Sequence, residues 1–154
     1  MEQLPAITLK NLFADQNVKA KFEQMLGKKA QGFITSVLQI AQSNDMLKTA
    51  DPHSILNAAA IAATLDLPLN SNLGFAYIIP FNNKIKGKNG APDEYKVQAQ
   101  FQIGYKGFIQ LAQRSGRFKT IAATPIYEGQ IVSADPLQGY VFDFTKKSDT
   151  LIGY

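Results

Sequence analysis

The sequence predicts an α+β fold in which an antiparallel β-hairpin packs as a small sheet against helices, and three patterns predict it. From Tyr95 to Ile103 every second residue is apolar (Tyr95, Val97, Ala99, Phe101, Ile103). The intervening Lys96, Gln98, Gln100 and Gln102 are polar, which is the period of a strand with one buried face. At Gly104 the period becomes helical, with Tyr105, Phe108, Ile109 and Ala112 at i, i+3, i+4 and i+7 as the buried stripe. Upstream, two stretches with helical spacing lead into another alternating run, Phe75, Tyr77, Ile79 and Phe81, and a polar, glycine-containing connection joins it to the first strand.

Residues 1–17 are short and mixed and contain Pro5, so they are expected to form a flexible amino-terminal arm that orders late or on a partner. Residues 18–154 are read as one domain, because a chain of this length buries roughly 68–70% of its unfolded surface and needs no metal or disulfide staple. From Val18 to Asn44, Phe22, Leu26, Ala30, Phe33, Ile34, Val37 and Ala41 keep helical spacing, and Asp15 or Asn17 is placed to cap the start. Gly27 and Gly32 each cost roughly 1 kcal/mol in a helix interior, so two helices meeting near Gly27 are expected. Lys19, Lys21, Lys28 and Lys29 read as a solvated face of these helices.

Asp51-Pro52 has the cap-then-proline order of a helix start, and the alanine-rich stretch to Leu65 is expected to be buried. His53, the sole histidine, falls in its first turn and is read as a surface or capping residue. Residues 67–74 form a loop, and Pro80 puts the end of the following strand on an edge or at a bulge. The connection from Asn82 to Glu94 carries Lys84, Lys86 and Lys88, a basic tip suited to phosphates or to a neighbouring subunit. Beyond Lys119, Ile121 to Tyr127 reads as a strand, Tyr140, Phe142 and Phe144 alternate in another, and Leu151 to Tyr154 opens a third.

The net charge is +4, but between Lys84 and Lys119 eight cations face only Asp93 and Glu94. Basicity concentrated in this way is the footprint of a polyanion site. The chemistry of enzymes is sparse. There is no cysteine, no phosphate-binding loop and no dinucleotide glycine fingerprint, and one histidine cannot build a triad or a metal site. Asp93-Glu94 read as solvated turn residues. Gly104-Tyr105-Lys106-Gly107 matches the Gly-x-x-Gly of a KH loop, although the strand-to-helix turn accounts for both glycines locally. A non-enzymatic nucleic-acid binder without cofactor or metal is the reading. It is expected to be soluble and cytoplasmic, since neither a signal peptide nor a membrane-length apolar run is present.

Two blocks carry a resemblance: Ala63 to Phe81, centred on Leu73-Gly74-Phe75-Ala76-Tyr77, and Gln102-Ile103-Gly104-Tyr105-Lys106-Gly107 through Arg114-Ser115-Gly116. In this order and spacing they resemble the RecT family of phage single-strand annealing proteins, over roughly Ala30 to Glu128. The resemblance implies a RecT/Redβ-like annealing fold. It also implies an ATP-independent protein that coats single-stranded DNA as a homo-oligomer, in a ring or a helical filament. Such a protein anneals complementary strands beside a phage exonuclease in the bacterial host cytoplasm. Members continue past the position of Tyr154 with a lysine- and arginine-rich helical portion, so this chain is expected to lack a carboxy-terminal part. The alternative is a protection or chaperone module that binds single strands without annealing them.

Combined with the charge pattern, these readings place a DNA groove along the helix from Tyr105. Lys106, Arg114, Arg117 and Lys119 are expected to neutralise phosphates, with Lys96 beside them on the strand, while Gln100, Gln102, Gln110 and Asn72 donate hydrogen bonds. Tyr105 is a possible stacking platform, but its helical phase places it with Phe108 in the core, so packing is the expected role.

Overall fold

The computed structural model describes residues 8–87 and 92–154. The chain divides into two compact units, Met1–Arg117 and Phe118–Tyr154, where the sequence reading expected one domain over 18–154.

The first unit begins with helix α1 (Leu9–Ala14), capped by Thr8, and α2 (Gln16–Leu26), whose first amides are capped by the Asp15 carboxylate at 2.8 and 3.2 Å. The described part of the expected arm, residues 8–17, is thus helical. Phe13 is only 2% exposed and its ring centre lies 5.5 Å from that of Phe22, so burial of one aromatic ring fixes residues 8–17 to the core. Residues 1–7 lie outside the described residues. As the spacing predicts, the long helical stretch breaks at Gly27, which has φ +55°. A 3₁₀ turn (Gly27–Lys29) follows, and then α3 (Ala30–Ser43).

A short helix α4 (Asp45–Lys48) leads to α5 (Pro52–Thr64), which starts at the predicted Asp51-Pro52 with the Asp51 carboxylate accepting from the His53 amide. Ala58, Ala59, Ala62 and Ala63 of α5 are buried, and their small size lets strands β1 (Ala76–Ile85) and β2 (Glu94–Ile103) approach closely. The strands form an antiparallel pair from Ala76↔Ile103 to Ile85↔Glu94. Along the outer edge of β2, the Asp51 amide donates to the Val97 carbonyl (2.9 Å). The Ser54 hydroxyl accepts from the Ala99 amide (2.8 Å). Helix α5 thus satisfies ladder groups that a two-stranded sheet leaves open. Helix α6 (Tyr105–Arg114) closes the unit.

In the second unit β3 (Ile126–Tyr127) pairs with β6 (Leu151–Gly153), and β4 (Ile131–Asp135) pairs with β5 (Gly139–Phe142). The predicted strand over 121–127 is reduced to its last two residues. Gln130, the unit's buried polar side chain, ties it together. Its amide accepts from the Tyr127 N–H and donates to the Lys146 carbonyl, both at 2.9 Å. Tyr140, Phe142 and Phe144 stack in a row along one face, with ring centres 6.1 and 5.6 Å apart.

Candidate nucleic-acid interface

The hairpin register decides which side chains share a face. Ala76, Ile78 and Pro80 stand beside Ile103, Phe101 and Ala99, and Ala76, Ile78 and Ala99 of this set are buried in the core. On the opposite face Tyr77, Ile79, Phe81 and Asn83 stand cross-strand from Gln102, Gln100, Gln98 and Lys96. That face is an apolar row alongside an amide row, about 20 Å long at the rise of a strand. Gln100, Gln102 and Lys96 are exposed, as predicted, and Phe81 is 43% exposed. Gln98 accepts from the Asn83 amide at 2.7 Å and is held by it. Sequence reasoning recognised β1 by its alternation but did not assign Tyr77, Ile79 and Phe81 to this face. The signal was the small Ala76 and the proline at 80, which mark the even positions as the tightly packed side.

At the Tyr77 end the α6 N-terminus presses onto the chain before β1. A Cβ on Gly104 would collide with the Gly74 carbonyl oxygen, and one on Gly107 with the Phe75 carbonyl oxygen. The Gly-x-x-Gly is therefore a close-packing device against a segment some thirty residues earlier, where the sequence reading attributes both glycines to the local strand-to-helix turn, and it sets Lys106. The Lys106 stem runs over Gly74 beside the Tyr77 hydroxyl and its ammonium is exposed, with no ion pair among the described residues.

The same contacts rotate α6 away from its predicted phase. Because Gly107 is the position that packs on Phe75 and Ile103, Tyr105 and Phe108 turn outward, 70% and 60% exposed. The expected core role of Tyr105 is thereby corrected. Its ring, with that of Phe108, is available for contact from outside the unit, and the reason is that a glycine-backbone contact outweighed the apolar stripe.

Arg114 occupies a structural position. Its guanidinium donates to the carbonyls of Leu65 (2.7 Å) and Asp66 (2.8 Å), where α5 ends, and lies 3.8 Å from the Asp66 carboxylate. These are carbonyls a helix end leaves without partners, and a cation there also meets the negative end of the helix dipole. Lys29 joins the same carboxylate at 3.1 Å. Gln110, on the Arg114 side of α6, is partly buried rather than exposed, and its Oε1 is buried with no hydrogen-bond partner. Asn72 is exposed in the turn before β1, Arg117 is exposed after α6, and Lys119 is exposed in the second unit. The structure thus brings Lys96, Gln100, Gln102 and Lys106 together with the apolar row, and gives Arg114 another task.

At the hairpin tip Lys84 pairs with Asp93 at 2.8 Å and Lys86 is exposed, while Lys88 lies outside the described residues. The Lys84 hydrogen bond, followed by one from the Gly87 amide, holds the Asp93 carboxyl below its usual pKa. A carboxyl with a depressed folded-state pKa adds stability above its unfolded pKa and loses it as pH falls through the folded one. The Gly87 amide resonance is accordingly expected to titrate with a midpoint below that of an unstructured aspartate, and Lys84→Ala to raise it. A midpoint unmoved by that substitution would show that Lys84 does not hold the carboxylate.

Among the described residues no cluster of histidine, aspartate and glutamate is arranged to hold a metal ion, and no helix is long and apolar enough to cross a membrane. The profile of the RecT family matches residues 31–154. The chain is 42% identical to the uncharacterized protein YqaK of Bacillus subtilis (strain 168) over 154 residues, which is 99% of this chain and 49% of the relative. It is 39% identical to Protein RecT of Escherichia coli (strain K12) over 83 residues, covering 54% of this chain and 29% of that protein. The chain thus spans about half the length of the first relative and less of the second.

Proposed function

The chain belongs to the RecT family, and from that premise we propose that it binds single-stranded DNA and anneals complementary strands, without ATP, in phage-type homologous recombination. The observation that carries this is the open hairpin face, a row of Tyr77, Ile79 and Phe81 beside a row of glutamines, with Lys96 at one end and Lys106 near the other. Aromatic faces stack on any base, lysines meet phosphates, and neither occupies the Watson–Crick edges that a second strand reads. The absence of a phosphate-binding loop from the sequence supports action without ATP. The protein works as a homo-oligomer on DNA in the bacterial cytoplasm, beside a phage exonuclease, with the Lys84 and Lys86 hairpin reaching a neighbouring copy or the strand. It performs no bond-making or bond-breaking step.

The test is the rate at which two complementary oligonucleotides pair, followed by fluorescence quenching without ATP at low and moderate salt. Acceleration is expected, and it is expected to fall when Lys106 and Arg117 are both changed to alanine. Arg114 is left in place because it holds the end of α5. Binding without acceleration would favour the second reading, a single-strand protection module.

A further inference from the structure

A cavity of about 340 Å³ opens between the end of α5, the 3₁₀ turn, α3 and α6. Its walls include the apolar Leu26, Phe33, Leu67 and Pro68. Its polar groups include Ser36 and Gln110, and Lys29 and Arg114 are in its lining together with Asp66, whose carboxylate pairs with both. The volume falls within the roughly 300–1,000 Å³ of small-ligand pockets. We propose that this cavity receives one nucleobase of the bound single strand, an inference that rests on the DNA-binding reading above.

Three observations select that occupant. The first is Gln110, which lines the cavity and whose Oε1 is buried and unpartnered, so that turning its amide toward a donor in the cavity would relieve the cost of that state. Every base has an edge of amino, imino or carbonyl groups, and a side-chain amide can both donate to and accept from such an edge. The second is the pairing of apolar walls, from Phe33 and Pro68, with an exchangeable cation: a ring enters against the walls while a flanking phosphate takes the place of Asp66 on the exposed Lys29, and Arg114 stays on the carbonyls of Leu65 and Asp66. The third is continuity. Lys106, Gln110 and Arg114 follow one another at i, i+4 and i+8 along α6, so the cavity residues Gln110 and Arg114 lie about one and two turns, about 6 and 12 Å, from the lysine at the end of the hairpin face. A strand leaving that face along α6 reaches the cavity within a few nucleotides. A base held there is withdrawn from pairing until released, which anchors the strand to each subunit at a fixed point.

The test compares the 154-residue chain and three variants, Gln110→Leu, Ser36→Phe and Asn70→Trp, in binding a fluorescently labelled oligothymidylate. The comparison strand has the same length, with abasic residues at regular intervals. Gln110→Leu removes the orphan acceptor, and the other two fill the cavity from α3 and from the loop. A thermal melt of each variant establishes that it is folded. The wild type is expected to bind the intact strand about tenfold more tightly than the abasic one. The variants are expected to lose most of that difference while keeping the salt dependence of the wild type, because their phosphate contacts remain.

Variants that melt like the wild type and retain the full tenfold preference would overturn the proposal, leaving base contact to the hairpin face alone. Unchanged DNA binding with a shifted oligomer size in Ser36→Phe and Asn70→Trp would overturn it in favour of a side chain from a second copy. If the wild type binds neither strand, the DNA-binding reading itself fails.

Discussion

Changing Gly107 to alanine is expected to destabilise the first unit by about 3 kcal/mol or more, a large share of the roughly 5–15 kcal/mol that holds a domain folded. The added Cβ would meet the Phe75 carbonyl oxygen and, at 2.8 Å, the Ile103 Cγ1. A flexible side chain would move aside, but this oxygen belongs to the backbone at the start of β1. It also accepts the Gly104 amide at 2.9 Å, so retreat would break the hydrogen bond that joins the two segments. Gly104→Ala should act alike, through the Gly74 carbonyl. The control is Gly32→Ala. Gly32 lies within α3, exposed, with nothing near its missing Cβ, so there alanine is expected to stabilise by about 0.5–1 kcal/mol through helix propensity. Urea unfolding followed by far-ultraviolet circular dichroism separates the two signs. Comparable, mild effects at Gly107 and Gly32 would show that the close approach is not real.

That glycine pair also explains how much could be read from the sequence. The α+β class, the hairpin, the break at Gly27 and the Asp51-Pro52 helix start all follow from local patterns, and each stands where it was expected. The exposed glutamines of β2 follow from period alone. What failed depended on distant partners. Tyr105 and Phe108 carry the helical spacing of a buried stripe, but which side of α6 faces inward is decided by two backbone contacts with residues some thirty positions earlier, and periodicity contains no such information. Arg114 reads as a basic ridge residue until the end of α5 is placed against it. Phe13 lies in a segment too short to show a period, so its burial was invisible. The division after Arg117 was hidden because Phe118–Tyr154 holds together through Gln130 and short strand pairs, a signal unlike the long apolar runs of the first unit.

The second large effect is expected in DNA binding, where three substitutions should behave in three different ways. Phe81→Ala removes an exposed ring from the hairpin face, and loss of one base-stacking contact, worth about 1–3 kcal/mol, should weaken affinity roughly 5- to 150-fold at every salt concentration. Lys106→Ala should weaken binding most at low salt and flatten the slope of log affinity against log salt by about 0.7, because one fewer phosphate is neutralised. Arg114→Ala should do neither directly. It strips the Leu65 and Asp66 carbonyls, just past the end of α5, of their donor and leaves the Asp66 carboxylate with Lys29 alone, so its signature is a lowered melting temperature with the salt slope of the surviving folded protein unchanged. If Arg114→Ala instead flattens the slope as Lys106→Ala does, the guanidinium leaves its carbonyls for phosphate when DNA binds. If Phe81→Ala binds as tightly as the wild type, the hairpin face is not the stacking surface. The outward rings of Tyr105 and Phe108, on the same helix as Lys106, are then the stacking surface to test.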